Sequence, residues 1–252
     1  AAVLAYLLLR RAGLGKVASS LAGAAIAISE GMLRPSIGAM ESSLFIALLF
    51  GALLARASGR DTTALLLAAL SALTRPEGLF VVVAVLVAIY LDPARRRGDH
   101  RPLLGLLPIA AWIIAALIYF GTPVPHSVTA KARPLYPLPA GAALDYLATQ
   151  SGHWTLDGLL AFGSTVSDKV GVHLIPRPFP RTAYRMAGIF LILWMLVRWW
   201  RFLHAERASR MLALPAYLVI LTAFYALSNP LLLAWYLPLL HAPVLAMALM
   251  RA

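Results

Sequence analysis

Thr74-Arg75-Pro76-Glu77-Gly78 is a charged break between two apolar runs, Thr62–Leu73 (TTALLLAALSAL) and Leu79–Leu91 (LFVVVAVLVAIYL). Each run has about a dozen residues, roughly 18–20 Å as helix, against about 30 Å of bilayer hydrocarbon. Pro76 and Gly78 interrupt what would otherwise be one span. The break therefore lies at a dip in a membrane surface or lines a wet cavity, because charge and irregular backbone at membrane depth require such a setting. A purely local explanation is a capping box, with Thr74 as N-cap and Glu77 three residues on. That explanation leaves Arg75 without a reason, since a guanidinium near a bilayer is costly unless paired or solvated.

Composition agrees with membrane residence. The 252 residues are 61% hydrophobic and 13% charged, with mean hydropathy +0.81, whereas soluble domains are about half apolar and a quarter charged. The two-residue alternation of a β-barrel is missing. The expected fold is all-α, a single multi-pass transmembrane domain over residues 1–252. With cysteine absent, disulfides and thiolate metal sites are excluded. The net charge of +12 raises nucleic-acid binding, but the basic residues occupy loops between apolar runs, which is the positive-inside pattern. No nucleic-acid partner is expected.

Outward from the break, apolar runs and polar loops alternate through about nine spans, the first partial. The runs include Ala1–Leu9, Val17–Ser29, Ser42–Ala55, Leu103–Phe120, Met186–Val197, Met211–Leu227 and Leu237–Met250. One set of loops collects 14 of the 22 basic residues against Asp61, Asp92, Asp99 and Glu206, a net of +10; the other holds 8 basic and 6 acidic residues, a net of +2. The first set is assigned to the cytoplasm. Thr74–Gly78, Glu30–Glu41, Gly121–Arg185 and Ser228–Tyr236 then all face outward. Residues 121–185 form a long extracytoplasmic loop rich in proline, too long for an idle connection. Within it Ala140–Gln150 and Thr155–Phe162 read as short interfacial helices. The chain opens on Ala1 within an apolar run, which argues against a signal peptide and leads us to expect natural sequence upstream.

Four outward pieces carry residues of chemical interest. Arg75 and Glu77 lie in the break itself. Glu41 opens a helix, where the dipole favours a carboxylate, and it can pair with Arg34 or Arg75. Phe120–Lys131 brings His126 and Lys131 to the end of a span; with Arg75 they make suitable phosphate donors. Asn229-Pro230 and Trp235-Tyr236 form the last piece, where interfacial aromatics are an adequate structural explanation. His153, Asp157, Asp168 and His173 lack the spacing of a metal site, so no metal is assigned.

Gly38-Ala39-Met40-Glu41-Ser42-Ser43-Leu44-Phe45, then Leu73–Gly78 (LTRPEG), then Phe120–Lys131 (FGTPVPHSVTAK) together resemble bacterial integral-membrane glycosyltransferases of the GT-C type. The nearest in kind are the terminal arabinofuranosyltransferases and related polyprenyl-phosphate-dependent mannosyltransferases. The resemblance covers roughly residues 17–240. It implies transfer of a sugar from a polyprenyl-phosphate donor to a glycan, lipid or protein acceptor outside the bacterial cytoplasmic membrane. It places the catalytic base in an outer loop that would precede Ala1, so no catalytic residue is assigned within this chain. The candidate substrate-binding residues are Arg75, Glu77, Glu41, His126, Lys131 and Tyr236: by charge and outward position Arg75 and Lys131, helped by His126, are expected to hold the phosphate, with Glu77 and Glu41 orienting those cations or contacting sugar hydroxyls. No cofactor beyond the lipid-linked donor is assigned, and a divalent metal is left open. Two other classes fit the topology: a transporter, which also uses broken helices, and an O-antigen-type polymerase or ligase. A transporter should show related halves and a second broken pair, and the chain has neither.

Overall fold

The computed structural model describes residues 1–28, 41–93, 98–123, 139–149, 180–203 and 208–228, with isolated positions from 239 onward. All regular structure among the described residues is helical: α1 (Ala2–Arg11), α2 (Lys16–Ile28), α3 (Glu41–Ala57), α4 (Asp61–Thr74) and α5 (Gly78–Tyr90), a 3-10 turn (Arg101–Leu106) running into α6 (Leu107–Phe120), α7 (Arg181–Leu203), α8 (Ala208–Met211) and α9 (Ala213–Ser228). Residues 142–149 are also helical.

The centre is the antiparallel hairpin series α3–α4–α5, with α1 against α3 and α9 against α5. Small residues let the axes come close. Ala64, Ala68, Ala69 and Ser71 of α4 are all sealed from solvent, as are Ala84 and Ala88 of α5. Larger side chains such as Phe45, Leu49, Phe50, Leu65 and Ile89 fill the spaces between them. At the α5–α9 seam Phe80 meets Phe224 with ring centroids 4.9 Å apart.

The break in the opening stretch is real, and its cause is local. Proline disfavours helical backbone in the residue before it, and Arg75 is extended at φ −149°, ψ 143°. α4 therefore ends at Thr74. The chain then winds through a tight turn, Gly78 N–H donating to Arg75 O at 2.9 Å and Leu79 N–H to Pro76 O at 3.1 Å, and α5 starts. Gly78 is required by the closeness of this turn: a Cβ there would lie 2.2 Å from Ala72 N. Gly105 does the same job at the other end, where its Cβ would lie 2.5 Å from Thr62 O. The 3-10 turn thus seats directly on the first turn of α4.

Two expectations need correction. The capping box is not formed: Thr74 belongs to α4 and its hydroxyl donates back to Ser71 O at 2.7 Å, while Glu77 is the N-cap of α5 without a side-chain cap bond. The extended pre-proline residue between them separates the two too far in conformation for the reciprocal bonds. The second correction concerns length. Among the described residues only Arg101–Phe120 is long and apolar enough to cross a membrane, with 20 residues and mean hydropathy 2.4. Asp61–Thr74, Gly78–Tyr90 and Ala213–Ser228 are apolar but shorter, so among the described residues the all-α expectation holds and one of the about nine expected spans is long enough by itself. The helix expected from Met186 begins earlier, at Arg181. The one expected at Ala140–Gln150 occupies residues 142–149 and is tied to α7 by Arg185 Nε to Asp145 Oδ1 at 3.0 Å.

Gly78→Ala should destabilise the fold by about 3 kcal/mol or more, because the obstructing atoms are backbone. Gly51→Ala meets only side-chain tips, Leu67 Cδ1 at 3.2 Å and Leu4 Cδ1 at 3.9 Å, and should cost less than about 1 kcal/mol. Thermal melting of the two purified variants checks the difference; equal losses would remove the close-approach explanation.

Candidate functional site

The extended backbone at Arg75 directs its side chain into the bundle rather than along the face of α4. There the residue is 5% exposed. Its guanidinium is held from two sides. One terminal nitrogen donates to Glu41 Oε1 at 3.0 Å and to Ser42 Oγ at 2.9 Å, both in the first turn of α3. Nε donates to Glu77 Oε2 at 3.3 Å, at the start of α5. Three segments far apart in sequence thus converge on one cation.

Helix dipoles favour every member of this cluster. Glu41 and Glu77 stand at helix N-termini, where partial positive charge accumulates, and Arg75 follows the C-terminus of α4. Burial differs sharply, however. The side chains of Arg75 and Glu77 are 6% and 11% exposed, and that of Glu41 is 55% exposed. With one guanidinium against two carboxylates, the cluster carries a formal charge of −1. Arg75 is already committed to its neighbours, and Glu41 is the member that can meet a molecule arriving from outside. Chemically this is a carboxylate of fixed position at a helix N-terminus, suited to accepting hydrogen bonds from hydroxyl groups.

Arg75, Glu77 and Glu41 are therefore brought together. His126, Lys131 and Tyr236 lie outside the described residues, as do Arg34 and the other loop residues named with them. Among the described residues no group of three or more His, Asp or Glu could hold a metal ion.

Two features escaped sequence reasoning. Ser42 is one: a guanidinium partner next to Glu41, legible only once the first turn of α3 faces Arg75. The other is a second buried arginine at the opposite end of the same three helices. Arg56, in the last turn of α3, is 2% exposed. It donates to Asp61 Oδ1 at 2.9 Å, to Ala88 O at 2.9 Å and to Asp92 Oδ2 at 2.5 Å. Its position in a basic loop disguised it as one more cytoplasmic charge. The pattern that could have revealed it is the pair Asp61 and Asp92, the two acidic residues at the matching ends of α4 and α5.

Compared with known protein families, curated proteins and solved structures, the chain matches none. The site therefore stands on its own geometry.

Removing a buried cation while leaving its carboxylate behind costs about 3–5 kcal/mol. Arg75→Met should show a loss of that order, and Arg75→Met combined with Glu77→Gln should recover part of it, since the orphaned charge is gone. A double-mutant cycle on thermal or denaturant unfolding measures the coupling. Additive losses would mean that the pair is not coupled in solution.

Proposed function

We propose that this chain is the multi-pass membrane domain of a glycosyltransferase. It would transfer a sugar from a polyprenyl-phosphate donor to a glycan, lipid or protein acceptor at the outer face of the bacterial cytoplasmic membrane. The observation that carries the reading is the Arg75 cluster, in which two of the three resemblance motifs, Gly38–Phe45 and Leu73–Gly78, meet through Glu41, Ser42, Arg75 and Glu77. The third motif starts at the C-terminus of α6, the helix whose leading 3-10 turn sits at the opposite end of α4.

Membrane placement is supported by α6 and its 3-10 turn. Together they extend about 33 Å, close to the hydrocarbon thickness of a bilayer. Ala116 is the one residue of α6 that is buried, while Ile114, Ile118, Tyr119 and Phe120 are 56–83% exposed. A core helix of a soluble protein would hide such a surface; a lipid-facing helix has no need to. The shorter helices α4 and α5 would then reach the outer cluster from the cytoplasmic side without crossing the full thickness, leaving the cluster in a depression open to the outside.

In this function Arg75 acts as a positioning residue. It fixes Glu41 and Glu77, and Glu41 accepts hydrogen bonds from sugar or acceptor hydroxyls. The positive charge needed against the departing phosphate would come from Lys131 and His126 of the third motif. General-base removal of the acceptor proton is assigned to no residue of this chain.

Glu41→Gln should lower kcat/KM for a lipid-phosphate sugar donor by about tenfold or more, the scale of one charge-assisted hydrogen bond. Lys131→Ala should chiefly raise KM for the donor. Transfer is measured with membranes stripped at alkaline pH, where the protein is expected to remain in the pellet. If Arg75→Ala and Lys131→Ala both leave transfer unchanged, the assignment fails.

A further inference from the structure

A cleft of about 620 Å³ opens between α1, the second half of α3 and the first half of α4. It lies at the Arg56 end of the bundle, away from the Arg75 cluster. Its walls are Leu4, Leu7, Leu54 and Leu67; its mouth carries Arg10, Arg11 and Arg60 with the hydroxyls of Ser58 and Thr63.

The lining changes from apolar to basic along α1 and toward the start of α4, and from apolar to hydroxyl-bearing at the end of α3. On α1 the lining residues are Leu4, Leu7, Arg10 and Arg11; on α3 and the residue just past it they are Gly51, Leu54, Ala55 and Ser58; on α4, running the other way to its N-cap, they are Leu67, Thr63 and Arg60. Within the helices the spacings of three and four residues are those of one face, and seven residues of helix cover about 10 Å. Three independent segments therefore grade in the same direction over the same distance. No acidic residue lines the cleft; the nearest in sequence, Asp61, is engaged by Arg56. Arg10 donates one bond to Leu14 O at 2.6 Å. Arg11 and Arg60 are exposed, and among the described residues neither guanidinium has a hydrogen-bond or ion-pair partner.

We infer that this cleft binds one anionic glycerophospholipid, its phosphodiester at the three guanidiniums and the first part of an acyl chain along the leucine walls. The inference rests on the membrane placement proposed above, which puts this basic end in the cytoplasmic leaflet, but not on sugar transfer. The chemistry selects the ligand. A volume of this size fits a headgroup and the start of a chain, guanidinium groups suit phosphate oxygens, and basic pockets between membrane helices on the cytoplasmic side take such headgroups. A zwitterionic lipid would bring its own cation into the arginine cluster and is disfavoured.

The test uses the purified full chain in a neutral detergent, with phosphatidylglycerol, phosphatidylcholine and inorganic phosphate as probes. Native mass spectrometry and thermal melting are the readouts. Phosphatidylglycerol should remain bound in a one-to-one complex and raise the melting temperature, with phosphatidylcholine and inorganic phosphate ineffective. The double variant Arg11→Gln/Arg60→Gln should weaken phosphatidylglycerol binding about 30-fold, and its melt without lipid reports that it is folded. Arg11→Lys/Arg60→Lys, which keeps the charges, should retain most of the binding. Arg101→Gln, which removes an exposed charge outside the cleft, should change nothing. Equal binding of phosphatidylcholine, an equal shift from inorganic phosphate alone, or unaltered binding in the double glutamine variant would each overturn the lipid site. Phosphatidylglycerol binding without sugar transfer would leave the site standing and remove the enzyme reading. A chain that stays in solution without detergent would end both.

Discussion

The arrangement on which the rest depends is a guanidinium shared by two carboxylates, used once at each end of α3–α4–α5. Arg75 binds Glu41 and Glu77 at one end; Arg56 binds Asp61 and Asp92 at the other. Each clamp ties together all three helices. Desolvating an arginine is expensive, and only multiple charged and hydrogen-bonding partners offset it. The clamps therefore fix register more than they add stability: sliding one helix past its neighbour by a single turn would break several charged contacts at once. Between them the helices pack through alanine and serine at close approach, a surface that by itself specifies register weakly.

The same arrangement divides the molecule electrostatically. At the Arg75 end one cation faces two carboxylates, and the exposed Glu41 gives that end an anionic lip. At the Arg56 end the buried cation takes up Asp61 and Asp92, which leaves Arg10, Arg11 and Arg60 beside it uncompensated. A hydroxyl-rich ligand suits the first end and a phosphodiester the second. Neither preference is visible in the overall charge of +12, which sums over the whole chain.

Several features were legible in the residues. Pro76 and Gly78 announced the break between α4 and α5, and the reason is steric at both positions. Glu41 was recognisable as a helix opener, and its pairing with Arg75 was one of two alternatives. The capping box was not a sound inference, because the steric effect of Pro76 on Arg75 decides the backbone before a side-chain bond can form. The clamp at Arg56 stayed hidden because a basic residue in a basic loop has an adequate local explanation. Burial, which removes that explanation, is a property of the packed bundle.

By itself, then, the sequence determined helix, break and charge asymmetry, all of which follow from local sterics and from the periodic placement of apolar residues. Tertiary structure alone decided which charges are consumed and which are left over. Arg56 looks no different from Arg11 and Arg60 in the chain, and Arg75 stands out only by its place in the break. Two are sealed among carboxylates delivered by neighbouring helices, and two remain at the mouth of a cleft. The physical reason is that the free energy of a charge depends on solvent access and on partners contributed by distant segments, and neither is encoded at the residue that bears it.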